Sequence, residues 1–240
     1  MTSATAEEYA TRLAETVPAV RRRIDEAARA AGRDPGDVRL VAVTKGHPVA
    51  AIEAAVEAGL TELGENRVGE AEAKRAELSD LSGVSWHFIG HIQSRKAPRA
   101  VDVADVIHSI DSLKLARKIS RAAEERGAPV SVLAQVNTSG EDAKGGFEGA
   151  RLIEDLQELA ELPGLQVLGL MTMAPFVDDE RVLSEAFAGL RSVSERVRAA
   201  TDRVGPELSM GMTNDLEIAI REGSTMVRIG TALFGERDGA

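Results

Sequence analysis

Cysteine is absent from the 240 residues. Disulfides, thiolate zinc sites and iron–sulfur clusters are excluded with it. Aromatic residues make up only 3%, with one tryptophan, one tyrosine and five phenylalanines. So few rings argue against a nucleobase-stacking platform. No apolar run approaches the roughly 20 residues of a membrane-crossing helix. The opening residues MTSATAEEYA lack the charged-then-apolar pattern of a secretory signal. Positive charge is also short, with 29 Lys and Arg against 39 Asp and Glu and a net charge of −10. That balance argues against broad binding to nucleic acid or anionic membranes. The expectation is a cytoplasmic protein with neither as a partner. There is no P-loop, no G-x-G-x-x-G and no G-x-S-x-G, which removes support from three common enzyme classes.

What is present is a rhythm. Residues 5–31 form an amphipathic helical stretch whose stripe is Leu13, Val17, Val20, Ile24 and Ala27/Ala28, with Gly32 placed to cap it. After it, short β-branched runs alternate with Ala/Glu/Arg-rich helical stretches. Eight runs are legible: 38–44, 61–64, 86–89, 106–109, 130–136, 166–171, 207–209 and 226–228. The helical stretches between them lie near 48–59, 66–79, 94–103, 112–126, 148–161, 180–203 and 213–222. Strands alternating with helices imply βαβ units and a parallel sheet. The near-continuous apolar runs at 40–43 and 130–133 suit strands covered on both faces. Eight repeats in a chain of this length predict an α/β fold, a single (β/α)8 TIM-type barrel with an extra N-terminal helix, spanning 1–240 as one domain.

In such a barrel the site lies where strands end. Lysine is scarce, six residues against 23 arginines. Lys74, Lys114 and Lys118 sit among other charges on helical stretches and read as a solvated face. Lys96 and Lys144 fall in loops, where either could bind an anion. Lys45 differs, because it follows the strand-like Leu40–Val41–Ala42–Val43–Thr44 and emerges at the barrel mouth. Apolar walls disfavour an ammonium, and the neutral amine is a nucleophile able to form a Schiff base with a carbonyl. The plain alternative is a lysine that merely reaches solvent from the strand's end.

Ser209–Met210–Gly211 precedes a helical stretch, and Arg228–Ile229–Gly230–Thr231 ends the last strand. Loops after strands 7 and 8 often hold phosphate in such barrels. His87 and His91 are four apart, but a strand ends between them, which breaks the helical geometry of a zinc pair, and no metal site is expected. Asn66 reads either as a helix N-cap or as a polar group facing the site.

Several segments together resemble the YggS/PROSC family of pyridoxal-phosphate homeostasis proteins: VAVTKGHP (41–48), ELGENRVGEA (62–71), WHFIGHIQSRK (86–96), LGLMTMAP (168–175), LSMGMTNDLEIAI (208–220) and GSTMVRIGTALFGER (223–237). The resemblance runs from about residue 10 to 237. It implies an alanine-racemase-like barrel and pyridoxal 5′-phosphate as cofactor. It implies that Lys45 forms the internal aldimine, that Ser209, Gly230 and Thr231 hold the phosphate, and that Arg228 faces the pyridine nitrogen. Arginine does not give up its proton, so such a partner leaves the ring nitrogen unprotonated and the cofactor a weaker electron sink. Asn66, Met210 and Gly211 would line the pocket. Arg95 stands where the family often has Asn. The implied role is cofactor binding and vitamin B6 homeostasis by a monomer, with no catalytic residue and with PLP-dependent apo-enzymes as recipients. The alternative is a weak racemase acting on amino acids, with His87 or His91 as second base. Related racemases take a tyrosine from an added domain, whereas this chain has only Tyr9, in its first helix.

Overall fold

The computed structural model describes residues 5–141 and 145–236; Lys144, one of the two loop lysines, lies outside them. Helix α1 (Ala6–Ala30) comes first, followed by β1 (Arg39–Val43), α2 (Val49–Glu57), β2 (Glu62–Glu65), α3 (Val68–Glu77), β3 (Ser85–Phe88) and α4 (Ala97–Val103). Then come β4 (Val106–Ile110), α5 (Leu113–Arg126), β5 (Val130–Gln135), α6 (Leu152–Ala160), β6 (Leu165–Met171) and α7 (Glu180–Ala200). The chain finishes with β7 (Val204–Ser209), α8 (Leu216–Arg221), β8 (Met226–Ile229) and a short α9 (Thr231–Phe234). The eight strands form a closed parallel barrel in sequence order. β8 closes against β1, with Val41 beside Arg228 and Ala42 beside Ile229.

Each expected strand is present, and the seventh is longer than its sequence suggested. Pro206 lies inside it, and a proline ordinarily argues against a strand interior. The β6–β7 register slips there: Val167 pairs Val204, but Gly169 pairs Glu207. β7 therefore spends one extra residue opposite β6, a bulge of the kind that accommodates a proline. The extra helix α1 is held at its start by a capping box between Thr5 and Glu8. Its C-cap is Ala31, and Gly32 follows in the left-handed region.

The apolar core is mostly outside the barrel, between strands and helices. Leu13, Val17, Val20 and Ile24 of α1 belong to one cluster with Leu63, Trp86, Val227 and Ile229. On the other side Phe88, Ile107, Leu115, Phe187 and Leu190 share a second cluster. Side chains alternate along a strand, so the neighbours of these residues point inward. Part of that interior is apolar, built on Leu133, Met171 and Met226. The rest carries Glu62, His87, His108, Ser209 and Arg228, where branched aliphatics are the usual filling.

Candidate functional site at the barrel mouth

Lys45 sits in the turn after β1, partly exposed. The turn is clamped from several sides. The Thr44 amide donates to the Gly64 carbonyl (3.0 Å) and the His47 amide to the Thr44 carbonyl (3.0 Å). The Gly46 amide donates to Glu70 Oε1 at 2.5 Å. From beneath, Lys74 Nζ donates to the Thr44 carbonyl (2.9 Å), to Glu65 Oε1 (2.6 Å) and to Glu70 Oε1 (2.8 Å). The Thr44 hydroxyl also donates to Glu65 Oε1 at 2.7 Å.

Lys74 is therefore not on a solvated face: it is 6% exposed. Glu70 lies four residues before it on the same helix, and α3 lies over the ends of β1 and β2 and turns the two inward. Burial pushes the Glu65 carboxyl up, against the attraction of Lys74. Among the described residues its Oε2 has no hydrogen-bond partner. Burial also pushes the Glu70 carboxyl up, but the bonds from Lys74 and Gly46 outweigh it and leave the group lowered. Beside the same turn, the Tyr9 hydroxyl meets His47 Nδ1 at 3.0 Å. The His47 ring lies 5.3 Å from that of Phe234 in α9, centre to centre. The only tyrosine is thus a brace between α1 and the Lys45 turn.

Arg228, in β8, is 5% exposed and points into the barrel. Its Nη1 donates to Ser209 Oγ at 2.7 Å and its Nη2 to the Thr172 carbonyl at 3.0 Å. Burial lowers its pKa to about 10, with Asp215 opposing the shift. Ser209, the last residue of β7, is wholly buried and also meets His108 Nδ1 at 2.9 Å. His108 Nε2 lies 2.7 Å from His87 Nδ1, and His87 Nε2 lies 2.5 Å from Glu62 Oε2. Burial is the main cause that drives the His108 imidazole well below the usual histidine range, and the charges of Arg228 and Arg39 add to it. The hydrogen bond from His87 is the main cause of a lowered Glu62 carboxyl, overcoming its burial.

His87 and His91 part company. His87 is committed inside the barrel, while His91 is largely exposed and pairs with Asp111 at 3.1 Å. Sequence reading passed over Glu62 and His108. Their available signal was alternation: each stands one residue from an apolar neighbour that faces the helices.

The remaining residues of the expected site fall on three neighbouring loops. Gly211 has φ of +95°, and a Cβ there would lie 2.6 Å from that of Ala219, so the β7 loop needs glycine. Its carbonyl accepts from the Arg228 amide at 2.9 Å. The Met210 side chain is buried in the outer core, which leaves its backbone to the loop. Gly230 caps α9, Thr231 opens that helix, and a Cβ on Gly230 would press on the Val43 carbonyl at 3.3 Å. The ends of β8 and β1 are that close, which brings the Gly230–Thr231 turn alongside the Lys45 turn. Asn66 follows β2 but does not cap α3, whose N-cap is Arg67. A Cβ on Gly90 would overlap the Asn66 carbonyl, so the β2 and β3 loops touch backbone to backbone. Asn66 lines a cleft of about 510 Å³ with Arg67, Glu70, His91, Gln93 and Lys96. Among the described residues no helix is long and apolar enough to cross a membrane.

The family profile of the alanine racemase N-terminal domain matches residues 16–238. A Pseudomonas aeruginosa protein named pyridoxal phosphate homeostasis protein is 46% identical over 230 residues, which cover 94% of this chain and 96% of that one. PipY of Synechococcus elongatus PCC7942, solved with PLP bound, is 40% identical; the match has a TM-score of 0.80 and covers 88% of this chain and all of PipY (100%). Alanine racemase of Clostridium difficile 630 shares the fold at 16% identity and a TM-score of 0.73, over 91% of this chain and 56% of the racemase.

Proposed function

The chain belongs to the alanine racemase N-terminal domain family, among its pyridoxal phosphate homeostasis proteins, and from that premise we propose that it holds pyridoxal 5′-phosphate at the mouth of its barrel. The observation that carries the proposal is the pairing of β1 with β8. It sets a lysine on a clamped turn beside a Gly–Thr turn, above a buried arginine. A PLP-bound relative that shares this fold over most of the chain supports it.

The residues present suit that group. The cofactor brings an aldehyde, a phosphate and a pyridine ring that draws electrons from an attached amine. Lys45 supplies the amine for covalent attachment at the aldehyde carbon. The Gly230–Thr231 backbone and the Thr231 hydroxyl take the phosphate, in the place where barrels of this kind carry one. Arg228 donates toward the ring nitrogen and keeps its own proton, since even lowered to about 10 it stays charged at neutral pH. Ser209, sealed in and engaged by Arg228 and His108, serves the arginine in preference to the phosphate. Asn66 and the Met210–Gly211 backbone close the sides.

The role that follows is storage and delivery: a monomer in the cytoplasm that passes the cofactor to PLP-dependent apo-enzymes and has no catalytic turnover of its own. The racemase reading is not favoured. It requires a second proton carrier opposite Lys45, and of its two candidates His87 is turned into the barrel while His91 is bound to Asp111 at the rim. Tyr9 is held by His47.

The test is the visible absorbance of protein purified with the cofactor, then borohydride reduction and mass spectrometry. A pyridoxyl group on Lys45, lost in Lys45→Ala together with the absorbance, is the expected result. Unchanged binding by Lys45→Ala would overturn the proposal.

A further inference from the structure

Five polar groups run in line inside the barrel, from Glu62 at the start of β2 to Arg228 near the end of β8. With one hydrogen on each imidazole ring, the direction of every link follows. Arginine only donates, so Ser209 Oγ accepts from Arg228 Nη1 (2.7 Å). At the other end an ionised carboxylate only accepts, so His87 Nε2 carries a hydrogen and gives it to Glu62 (2.5 Å). With its one hydrogen on Nε2, His87 has a bare Nδ1, which accepts from His108 Nε2 (2.7 Å). A neutral His108 in turn has a bare Nδ1, which takes the one hydrogen of the Ser209 hydroxyl (2.9 Å). Every donor therefore points the same way, from Arg228 toward Glu62.

We propose that Glu62 is a positioning residue for Arg228, acting through His87, His108 and Ser209 to fix the direction of this line and so hold the guanidinium in one orientation at the mouth. The carboxylate and the guanidinium each dictate the direction of their own end, and the carboxylate sets that of the two rings; the rings and the hydroxyl between them pass it on. A hydrogen-bond chain polarised in one sense also strengthens each link. The charged groups facing it are Arg39 at the start of β1, which ion-pairs with Glu207 of β7 at 2.8 Å, Asp215 near Arg228, and the line's own ends, Glu62 and Arg228. A proton added to His108 would give that ring two donors. Its Nδ1–H would donate to Ser209, reversing that link and freeing the hydroxyl hydrogen. The neutral state that burial imposes on His108 is the state the line needs. The line has a consequence for the ligand: with its hydrogen spent on His108, Ser209 has none to offer a phosphate. That consequence, and Arg228 as a cofactor contact, rest on the function proposed above; the line itself does not.

Imidazole and guanidinium nitrogen NMR on the cofactor-free protein at pH 7 tests the line directly. His87 and His108 are both expected as neutral rings with hydrogen on Nε2. An Nδ1–H or doubly protonated His108 overturns the proposal without any variant having to fold. In Glu62→Ala the His108 nitrogen signals and the Arg228 side-chain signals are expected to move, and the affinity for pyridoxal 5′-phosphate to fall about 3- to 10-fold. Glu62→Gln keeps an acceptor for His87 and is expected to recover most of both. Unmoved His108 and Arg228 signals in a folded Glu62→Ala overturn the proposal. Moved signals with unchanged cofactor affinity sustain the line and overturn Arg228 as a cofactor contact.

Discussion

Of the four histidines, His108 has the clearest consequence for pH. An unfolded histidine takes up its proton near pH 6.5, whereas the buried, positively surrounded His108 resists until well below that. Between those points the unfolded chain binds more protons than the folded one. Stability is therefore whole above about pH 6.5 and falls as the pH drops below it, by up to about 1.4 kcal/mol per pH unit for this one proton. The lowered Glu62 carboxyl adds a further loss only beneath its ordinary value of 4.5. Urea midpoints between pH 5 and 8 are expected to show this slope in the wild type and a flatter one in His108→Gln. An unchanged slope would assign it to another group. At the same scale, Lys45 could be singled out from its place after an apolar run. His108 could not, because one histidine in a strand is compatible with many partners and only barrel closure brings β4 to face β7.

At the scale of the element, α3 shows how a surface pattern can mislead. Glu70 and Lys74 have the spacing of an exposed pair, yet Lys74 is the cation of a buried cluster that supports the Lys45 turn. Removing one partner from a buried ion cluster costs about 3–5 kcal/mol, because the others stay buried and uncompensated. Lys74→Met is expected to lose that much in urea denaturation and to weaken cofactor binding as the turn loosens. Adding Glu65→Leu, which also removes the unpartnered Glu65 Oε2, is expected to return a large part of the stability. The β7–α8 loop offers a second case. Gly211→Ala must hold a positive φ and push on Ala219, and is expected to cost about 1–3 kcal/mol. Its measurable effects are a lower thermal midpoint and weaker cofactor retention.

At the scale of the molecule, closure couples everything. The strands form one ring, and α1 packs against α2, α8 and α9 and shares one apolar cluster with residues of β2, β3 and β8. If the chain is one domain, Trp86 fluorescence from β3 and far-ultraviolet dichroism from the helices will report the same unfolding midpoint. Leu13→Ala, deep in the α1 cluster and fully buried, is expected to cost about 2–5 kcal/mol and to shift both probes together. Separate midpoints would mean that α1 and the barrel are independent units.

The eight strands, their alternation with helices and the added α1 were all legible in the chain, because hydrophobic periodicity is a local property. So was Lys45, where an apolar run stops. Even the β7 strand was visible at its end, although Pro206 hid its start until the bulge against β6 made room. What the tertiary structure alone decided is which polar side chains meet. Glu62, His87, His108, Ser209 and Arg228 come from five different strands, and Lys74 reaches Thr44 across 30 positions of chain. Such contacts depend on the closed ring and its register, and a polar residue's partner across a barrel leaves no periodic trace in its own neighbourhood.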